Sequence, residues 1–268
     1  MTTSSTGAWD PAQYQRFAAE RAQPFYDLAA MVERVPGMRV VDVGCGAGEL
    51  TAWLHRELQA SGTLGLDADA AMLAQTAKHE GGGVRFEAAD IRTWMPATSY
   101  DLVFSNAALQ WVEGHEELWP RLASWVAPGG QIAIQMPMND DHPSHATARA
   151  LASEEPYASL LAAGGGGAGG GGGRFPTLAP ERYAELLHAL GFERPRVHVE
   201  VYGHLLPDTR SIVEWIKGSA LTPYRDRLTP ELYARFLDEY TSRLVARLGE
   251  HSPFFYTFKR VLMWGRKG

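Results

Sequence analysis

Short apolar runs alternate with stretches of helical apolar spacing over the first half of the chain. The runs predict strands, and the stretches with apolar residues three or four positions apart predict helices. The predicted strands are 39–43, 63–66, 84–87, 101–105 and 131–135, the last introduced by Pro128-Gly129-Gly130. The predicted helices are 11–35, 48–60, 69–79 and 115–126. Apolar strands that alternate with helices are typical of a parallel sheet covered on both faces.

The second half of the chain is mainly helical in pattern. Helices are predicted at 144–161, 180–190, 208–218 and 229–248, with strands at 196–202 and 255–265. Together the two halves of the chain predict an α/β fold: a mostly parallel seven-stranded sheet with helices on both faces and an α-helical cap. We expect the inserted helices to lie over the carboxyl ends of the strands, where doubly wound folds bind ligands.

Composition excludes several classes of protein. Lys and Arg number 25 against 31 Asp and Glu, so the net charge of −6 argues against a general nucleic-acid binder. No apolar run approaches the roughly 20 residues that span a bilayer, and the first residues lack a secretory pattern. The single cysteine, Cys45, excludes an intramolecular disulfide, and we expect a cytoplasmic location.

The most informative motif is Asp42-Val43-Gly44-Cys45-Gly46-Ala47-Gly48, which joins the first strand to a helix. Glycine has no Cβ and tolerates positive φ, so a ligand can lie against such a turn. A dinucleotide fingerprint would place its third glycine at position 49, where this chain has Glu49. Asp42 and Glu49 suit a cation better than a pyrophosphate. The spacing resembles motif I of class I S-adenosylmethionine-dependent methyltransferases; a turn without a ligand is the simpler alternative.

Polar side chains end the next strands as well. Asp67 follows the second strand and could accept both ribose hydroxyls, although it could instead cap the helix that starts at Ala68. Asp90 could accept from an adenine amine, and Asn106 follows the fourth strand. Four such coincidences at one sheet edge favour one binding site. The predicted cofactor-binding residues are Asp42, Gly44, Cys45, Gly46, Gly48, Asp67, Ala68, Met72, Ala89, Asp90, Ile91 and Asn106.

Longer strings resemble the trans-aconitate 2-methyltransferase family over most of the chain. They are W-D-P-A-Q-Y-Q-R-F-A-A-E-R-A-Q-P (9–24), A-D-I-R-T-W (89–94), S-N-A-A-L-Q-W-V (105–112), Q-M-P (135–137) and the segments 202–207 and 213–224. The resemblance implies a Rossmann-like class I methyltransferase fold and S-adenosyl-L-methionine as cofactor, with S-adenosyl-L-homocysteine as product. It also implies methyl-ester formation on a carboxylate of a small tricarboxylic acid, best matched by trans-aconitate.

A carboxylate is already ionised at pH 7, so this reaction needs no general base, and we predict no catalytic residue beyond groups that orient the reactants. Arginines should hold the carboxylates that do not react. The predicted substrate-binding residues are Tyr14, Arg21, Gln110, Trp111, Tyr202, His204, Tyr224 and Arg225, with Arg227 as a weaker candidate. A solvated charge or a core position is the alternative for each of them.

We predict a single methyltransferase domain over 1–268, with an N-terminal helical segment (1–35), a cofactor-binding core (36–137) and a C-terminal part with the cap helices (138–268). The predicted partner is a small carboxylic acid, without nucleic acid, membrane or metal; a monomer is expected, with a homodimer as alternative. Alternative functions are methyl transfer to another small molecule, an NAD-dependent oxidoreductase and a cofactor-binding protein without catalysis. The run 163–173 is almost entirely glycine and predicts a flexible loop, with a functional lid as the alternative.

Overall fold

The computed structural model describes residues 18–163 and 177–268, with side chains from residue 22 onward and without that of residue 163. The strands are β1 (Arg39–Val43), β2 (Gly62–Asp67), β3 (Val84–Ala88), β4 (Tyr100–Asn106), β5 (Val126–Pro137), β6 (Phe192–Leu206) and β7 (Phe254–Lys267). They form one sheet in the order β3-β2-β1-β4-β5-β7-β6. Strands β1 to β5 pair in parallel and β7 runs antiparallel to β5, so the predicted fold class is confirmed.

The helices of the described ranges follow in chain order. They are α1 (Ala18–Met31), α2 (Glu49–Glu57), α3 (Ala70–Leu73), α4 (His115–Trp125), α5 (Pro143–Ala152), α6 (Tyr157–Ala163), α7 (Pro180–Ala189), α8 (Ser211–Lys217), α9 (Thr222–Arg225) and α10 (Pro230–Leu248). Short 3₁₀ helices span Thr76–His79 and Leu109–Trp111.

The chain divides into two compact units. Within the described residues, the sheet unit comprises 23–138, 177–201 and 259–268, and the helical unit comprises 18–22, 139–163 and 202–258. Strands β6 and β7 each contribute residues to both units, because the divisions fall at 201/202 and 258/259.

The sheet unit is buried on both faces. Val41 and Val103 pack with α4 and α7 on one face, whereas Val40 and Leu102 pack with α1 and α2 on the other. Because both faces are covered, consecutive strand residues are apolar, and this explains why the sequence shows continuous runs rather than strict alternation. The helical unit has its own core, which α5, α8 and α10 build around Tyr157 and Phe236.

Several element boundaries differ from the sequence prediction. The helix predicted at 144–161 is two helices, α5 and α6, because Pro156 has no N–H to donate and disfavours helical backbone before it. The helix predicted at 69–79 is α3 followed by a 3₁₀ turn. The helix predicted from 208 starts at Ser211, whose backbone N–H and hydroxyl both donate to the Asp208 carboxylate. The described part of α1 ends at Met31 rather than residue 35.

Two further features were not predicted. The Pro128-Gly129-Gly130 turn lies within β5, which starts at Val126, and the β4–β5 register shifts between Tyr100 and Leu102. The short helix α9 was not predicted as a separate element. The glycine-rich run from 164 onward and residues 11–17 of the first predicted helix lie outside the described residues.

Candidate functional site

The glycine corner lies between β1 and α2, next to the point where the strand order reverses from β1 to β4. Open parallel sheets bind ligands in the crevice at such a point. Gly44 has φ +78°, and a Cβ there would lie 2.1 Å from the Cβ of Ala108. Gly48 caps α2 at φ +80°, and a Cβ there would lie 2.6 Å from Phe86. The corner therefore requires glycine both for its left-handed backbone and for its close neighbours.

Backbone hydrogen bonds hold the corner against β2. The N–H groups of Gly44 and Cys45 both donate to the carbonyl of Leu66, at 2.7 and 3.0 Å. Cys45 is half-buried, and burial, followed by the charges of Asp42 and Asp67, raises the pKa of its thiol. A thiol that stays protonated is a poor nucleophile. Cys45 is therefore a structural member of the corner, and nothing about it indicates a reactive group.

Asp42 is the penultimate residue of β1 and is 2% exposed. The Thr51 hydroxyl, on α2, donates to its Oδ2 at 2.5 Å. Burial raises the pKa of the Asp42 carboxyl to about 7, an effect that the Thr51 hydrogen bond opposes and the charge of Asp67 reinforces. A carboxyl near its titration point would become fully ionised beside a cation. Thr51 was not predicted from the sequence, because its contact with Asp42 exists only after α2 packs on β1.

Asp67, the last residue of β2, faces the glycine corner. Its Oδ2 accepts from the backbone N–H of Gly46 at 2.8 Å, and its Oδ1 accepts from that of Asp69 at 2.9 Å. The cap of α3 is Asp69 rather than Asp67, since Asp69 Oδ1 accepts from the N–H groups of Ala71 and Met72. Ala68 is exposed, and the Met72 methyl would lie 3.1 Å from a Cβ at Gly46. The glycine corner, Asp67 and Met72 therefore lie close together.

Asp90 lies two residues beyond β3, in a turn where its backbone carbonyl accepts from Thr93 and Trp94. The Arg92 guanidinium binds its carboxylate through Nε at 2.9 Å and Nη2 at 2.6 Å. These hydrogen bonds lower the pKa of Asp90 to about 2. Ala89 donates its N–H to the carbonyl of Asp67, and Ile91 packs on the core of the sheet unit. The pairing with Arg92 was not predicted.

Two amide side chains, one at the end of β4 and one just after it, have oxygens without a hydrogen-bond partner among the described residues. Asn106 Oδ1 and Gln110 Oε1 are buried and accept no hydrogen bond from the described residues. Gln110 is 3% exposed, and its Nε2 donates to the carbonyl of Ala107 at 2.7 Å, which fixes the direction of the amide group. Buried acceptors without donors are costly, and each calls for an explanation such as a ligand.

A buried pair that the sequence did not predict supports this segment. His115 Nε2 donates to the carbonyl of Leu109 at 3.0 Å, and its Nδ1 accepts from the Tyr183 hydroxyl at 2.6 Å. Burial lowers the pKa of His115, which keeps the imidazole neutral and consistent with one donor and one acceptor nitrogen. Tyr183 is 68 positions away in the chain, so only the packing of α7 on α4 reveals the pair.

The predicted substrate residues fall in several places. Tyr14 and the side chain of Arg21 lie outside the described residues. In the sheet unit, Trp111 is half-buried at the end of the Leu109–Trp111 turn. The helical unit carries Tyr202, His204, Tyr224 and Arg225.

These helical-unit residues differ in their environment. Tyr202 is half-buried, whereas the ring of His204 lies 4.3 Å from that of Trp215 and is buried. Tyr224 is 3% exposed. Arg225 directs its guanidinium to the neighbouring Asp226, with Nε and Nη2 each 2.9 Å from Oδ1.

Two kinds of feature are absent from the described ranges. No group of three or more His, Cys, Asp or Glu side chains in the described residues could hold a metal ion. In those ranges no helix has the length and apolar character needed to cross a membrane. The groups that converge at the sheet edge are mostly hydrogen-bond acceptors, including carboxylates. Such a set of acceptors fits a cationic organic ligand.

Comparison with known proteins supports this description. Residues 40–130 match a family model described as a methyltransferase domain. A trans-aconitate 2-methyltransferase of Deinococcus radiodurans is 42% identical over 255 residues, covering 95% of this chain and 96% of the relative. A protein of the same name from Mycobacterium tuberculosis is 37% identical over 266 residues and covers 97% of each chain.

Solved structures agree on the fold. An S-adenosylmethionine-dependent methyltransferase from Mesorhizobium loti superposes with a TM-score of 0.51 at 25% identity, over 92% of this chain and 98% of that one. Phosphoethanolamine N-methyltransferase 2 of Haemonchus contortus, solved with S-adenosyl-L-methionine, has a TM-score of 0.53 at 16% identity, over 91% of this chain and 52% of that one. The expected family and fold class are confirmed.

Proposed function

Because the chain belongs to the trans-aconitate 2-methyltransferase family, we propose that it transfers the methyl group of S-adenosyl-L-methionine to a carboxylate of trans-aconitate. The product pair is then a methyl ester and S-adenosyl-L-homocysteine. The observation that carries the cofactor assignment is the set of acceptors around the glycine corner, namely Asp42, Asp67, Asn106 Oδ1 and Gln110 Oε1. This set suits a cofactor that carries an ammonium and a sulfonium group.

We assign different residues around the corner to different parts of that cofactor. We assign Asp67 to the ribose hydroxyls, because its carboxylate already accepts from Gly46 and Asp69 and stays partly accessible. Asp42 and the amide oxygens of Asn106 and Gln110 provide negative charge and acceptors for the cationic part. Met72, Ala89, Asp90 and Ile91 are assigned to the adenine. Bound S-adenosyl-L-methionine supplies an electrophilic methyl group.

The protein then has to orient the acceptor rather than activate it. The acceptor's carboxylate is ionised at neutral pH and is itself the nucleophile, so no proton has to be removed. Alignment of the reacting groups can contribute roughly 7–11 kcal/mol in favourable cases. The substrate residues assigned from the sequence are Tyr14, Arg21, Gln110, Trp111, Tyr202, His204 and Tyr224. Arg225 is left out, because its guanidinium is hydrogen-bonded to Asp226. A cytoplasmic location and a monomeric state stay predictions from the sequence.

The proposal is tested by methyl transfer from labelled S-adenosyl-L-methionine to a panel of acceptors. The panel holds trans-aconitate, saturated tricarboxylates, dicarboxylates, phenols and amines. We expect a base-labile methyl ester with trans-aconitate as the preferred acceptor. Preferred methylation of a phenol or an amine would replace the substrate assignment while keeping the enzyme class.

A binding experiment tests the cofactor separately. Thermal unfolding is followed with S-adenosyl-L-homocysteine and with NAD in parallel, because a ligand that binds only the folded state raises Tm. We expect a rise with S-adenosyl-L-homocysteine alone. A rise with NAD alone would favour the oxidoreductase alternative, and binding of S-adenosyl-L-homocysteine without transfer to any acceptor would favour a binding protein.

A further inference from the structure

Tyr224 in α9 carries a buried hydroxyl without a partner among the described residues. The residue is 3% exposed, and no described residue hydrogen-bonds its hydroxyl. Its ring packs against Phe236 with centroids 4.9 Å apart, so the apolar part of the side chain is well accommodated. A phenylalanine would fill the same place without leaving a buried polar atom unsatisfied, which is an unfavourable condition. The hydroxyl therefore calls for an explanation.

Arg149 in α5 also has a buried polar atom without a hydrogen bond among the described residues. Its Nη2 donates to the backbone carbonyl of Asp140. Its Nη1 is buried, lies 3.7 Å from Asp140 Oδ1, and makes no hydrogen bond within the described residues. The guanidinium is thus held in place by one strong backbone contact, whereas one of its nitrogens keeps unused donors.

The core of the helical unit places these two groups in one neighbourhood, because Tyr224 packs in the same apolar cluster as Ala148 and Ala152, on either side of Arg149 in α5. The electrostatics agree: burial raises the pKa of Tyr224 to about 12, the charge of Arg149 lowers it, and the charge of Asp140 raises it. A phenolic hydroxyl and a guanidinium nitrogen are both donors, and together they suit an anion with two oxygens. Arginine is the side chain best matched to a carboxylate.

We propose that Arg149 and Tyr224 bind a carboxylate of the acceptor that does not react, a site that rests on the proposed function. The acceptor's remaining carboxylate keeps its lone pairs free of this strong pairing and stays nucleophilic. The sequence pointed to Arg225 for this task. The structure favours Arg149, because the Arg225 guanidinium is hydrogen-bonded to the exposed carboxylate of Asp226.

The decisive variant is Tyr224→Phe, which removes only the hydroxyl. Since this hydroxyl has no partner to lose within the described chain, the unliganded variant should unfold at the same temperature as the wild type or higher. The KM for trans-aconitate should rise about tenfold, as expected for the loss of one hydrogen bond to a charged group. The kcat and the affinity for S-adenosyl-L-homocysteine should stay unchanged.

Tyr233 provides a matched control. Its hydroxyl is also buried without a partner among the described residues, and its charged neighbours are Arg225, Asp226 and Glu214 rather than Arg149. Tyr233→Phe should therefore resemble Tyr224→Phe in stability but leave the KM for trans-aconitate unchanged. Equal KM values in both variants and the wild type would overturn the assigned site.

Arg149→Lys and Arg225→Ala complete the set. Arg149→Lys keeps the charge but loses the planar pair of donors, so the KM should rise by about tenfold or more, whereas Arg225→Ala should change it less than threefold. The reverse order would overturn the choice of Arg149.

The acceptor panel separates failure of this site from failure of the proposed function. A wild-type enzyme that methylates trans-aconitate, together with a Tyr224→Phe variant of unchanged KM, overturns the Arg149–Tyr224 site alone. A wild-type enzyme that binds S-adenosyl-L-homocysteine but methylates no carboxylic acid overturns the substrate assignment, and this site with it. Loss of preference for tricarboxylates over monocarboxylates in Tyr224→Phe would support the site directly.

Discussion

The candidate ligand groups of the sheet unit and of the helical unit are of opposite character. Around the glycine corner the sheet unit presents acceptors: two carboxylates, Asp42 and Asp67, and the amide oxygens of Asn106 and Gln110. The helical unit presents unused donors, on Arg149 and Tyr224. This division matches the proposed function, in which the cofactor carries positive charge and the acceptor carries negative charge. An unused buried polar atom is informative where it lies among other candidate ligand groups, since the sheet unit also buries Nε1 of Trp119 and of Trp125 without hydrogen bonds among the described residues.

Burial shifts the pKa values of two titratable groups, one in each unit, in opposite directions. In the sheet unit the Asp42 carboxyl has a pKa raised to about 7 by burial. In the helical unit burial, with the charges of His142 and Arg149 adding to it, lowers the pKa of His145 to about 3. Both groups are held closer to their neutral forms in the folded protein. Acid and alkali should therefore affect the two units differently.

The largest effect is expected from Gly44→Ala in the corner. Its φ of +78° disfavours a side chain, and the new Cβ would lie 2.1 Å from Ala108. Strain and overpacking together should reduce the free energy of unfolding by about 3 kcal/mol. Urea unfolding measures this loss, and calorimetric titration should show no binding of S-adenosyl-L-homocysteine.

Gly129→Ala is the control for backbone strain. Gly129 has a similar φ of +73°, but no atom of the described residues lies within 4 Å of the position that a Cβ would take, so the variant carries the strain without the collision. The Gly129→Ala substitution should reduce the free energy of unfolding by about 1 kcal/mol and leave the cofactor affinity unchanged. Equal cofactor loss in both variants would contradict the role of the close contact.

The next largest effect concerns acid stability and His145. The unfolded histidine titrates near its ordinary value of 6.5, whereas the folded one stays neutral to about pH 3. Between these values the unfolded state binds more protons, so stability falls as pH falls, by about 1.4 kcal/mol per pH unit at most. Urea unfolding of the wild type and His145→Gln from neutral to acid pH measures this slope. The variant should be less sensitive to acid; equal slopes would show that His145 does not contribute.

Asp67→Asn should weaken cofactor binding by about 10- to 100-fold, because a hydrogen bond to a carboxylate is worth about 1.5–3 kcal/mol. Asp69→Asn is the control two residues away, since asparagine caps a helix as well as aspartate. It should leave affinity for S-adenosyl-L-homocysteine unchanged. Titration calorimetry compares the two, and equal affinities would remove Asp67 from the cofactor site.

The smallest expected effect is the pH dependence of cofactor binding through Asp42. A cationic ligand favours the ionised carboxylate, so affinity should rise as pH increases towards about 7 and level off above it. The change is at most about tenfold per pH unit. Asp42→Asn can still accept from Thr51, and it should bind more weakly with no such dependence. Calorimetry in buffers of different ionisation enthalpy should detect proton release in the wild type only.

Much of the sheet was predictable because local pattern and global environment agree there. The five parallel strands were all predicted, and β1 even with its bounds, since strands buried on both faces form unbroken apolar runs. The predicted bounds of a strand were wrong where pairing with a neighbouring strand outweighed the local sequence signal. Pro128-Gly129-Gly130 is a turn by composition, yet pairing of Tyr100 with Val126 draws it into β5.

Partners of the site residues were less predictable. Thr51 for Asp42, Tyr183 for His115 and Arg92 for Asp90 are contacts that sequence patterns do not encode. The first two depend on helices packing against the sheet and on each other. The third is local, but the same pair of residues is compatible with many side-chain arrangements.

The amino-acid chain alone was enough to predict the family, the α/β fold, the cofactor class and the acidic residues at the strand ends, because glycine spacing and apolar periodicity are local properties. The folded structure adds which of those groups are already satisfied and which keep unused hydrogen-bonding capacity. It paired Arg225 with Asp226 and left Nη1 of Arg149 and the hydroxyl of Tyr224 without hydrogen bonds among the described residues. Burial and partner choice depend on residues far apart in the chain, so they arise only when the chain is folded.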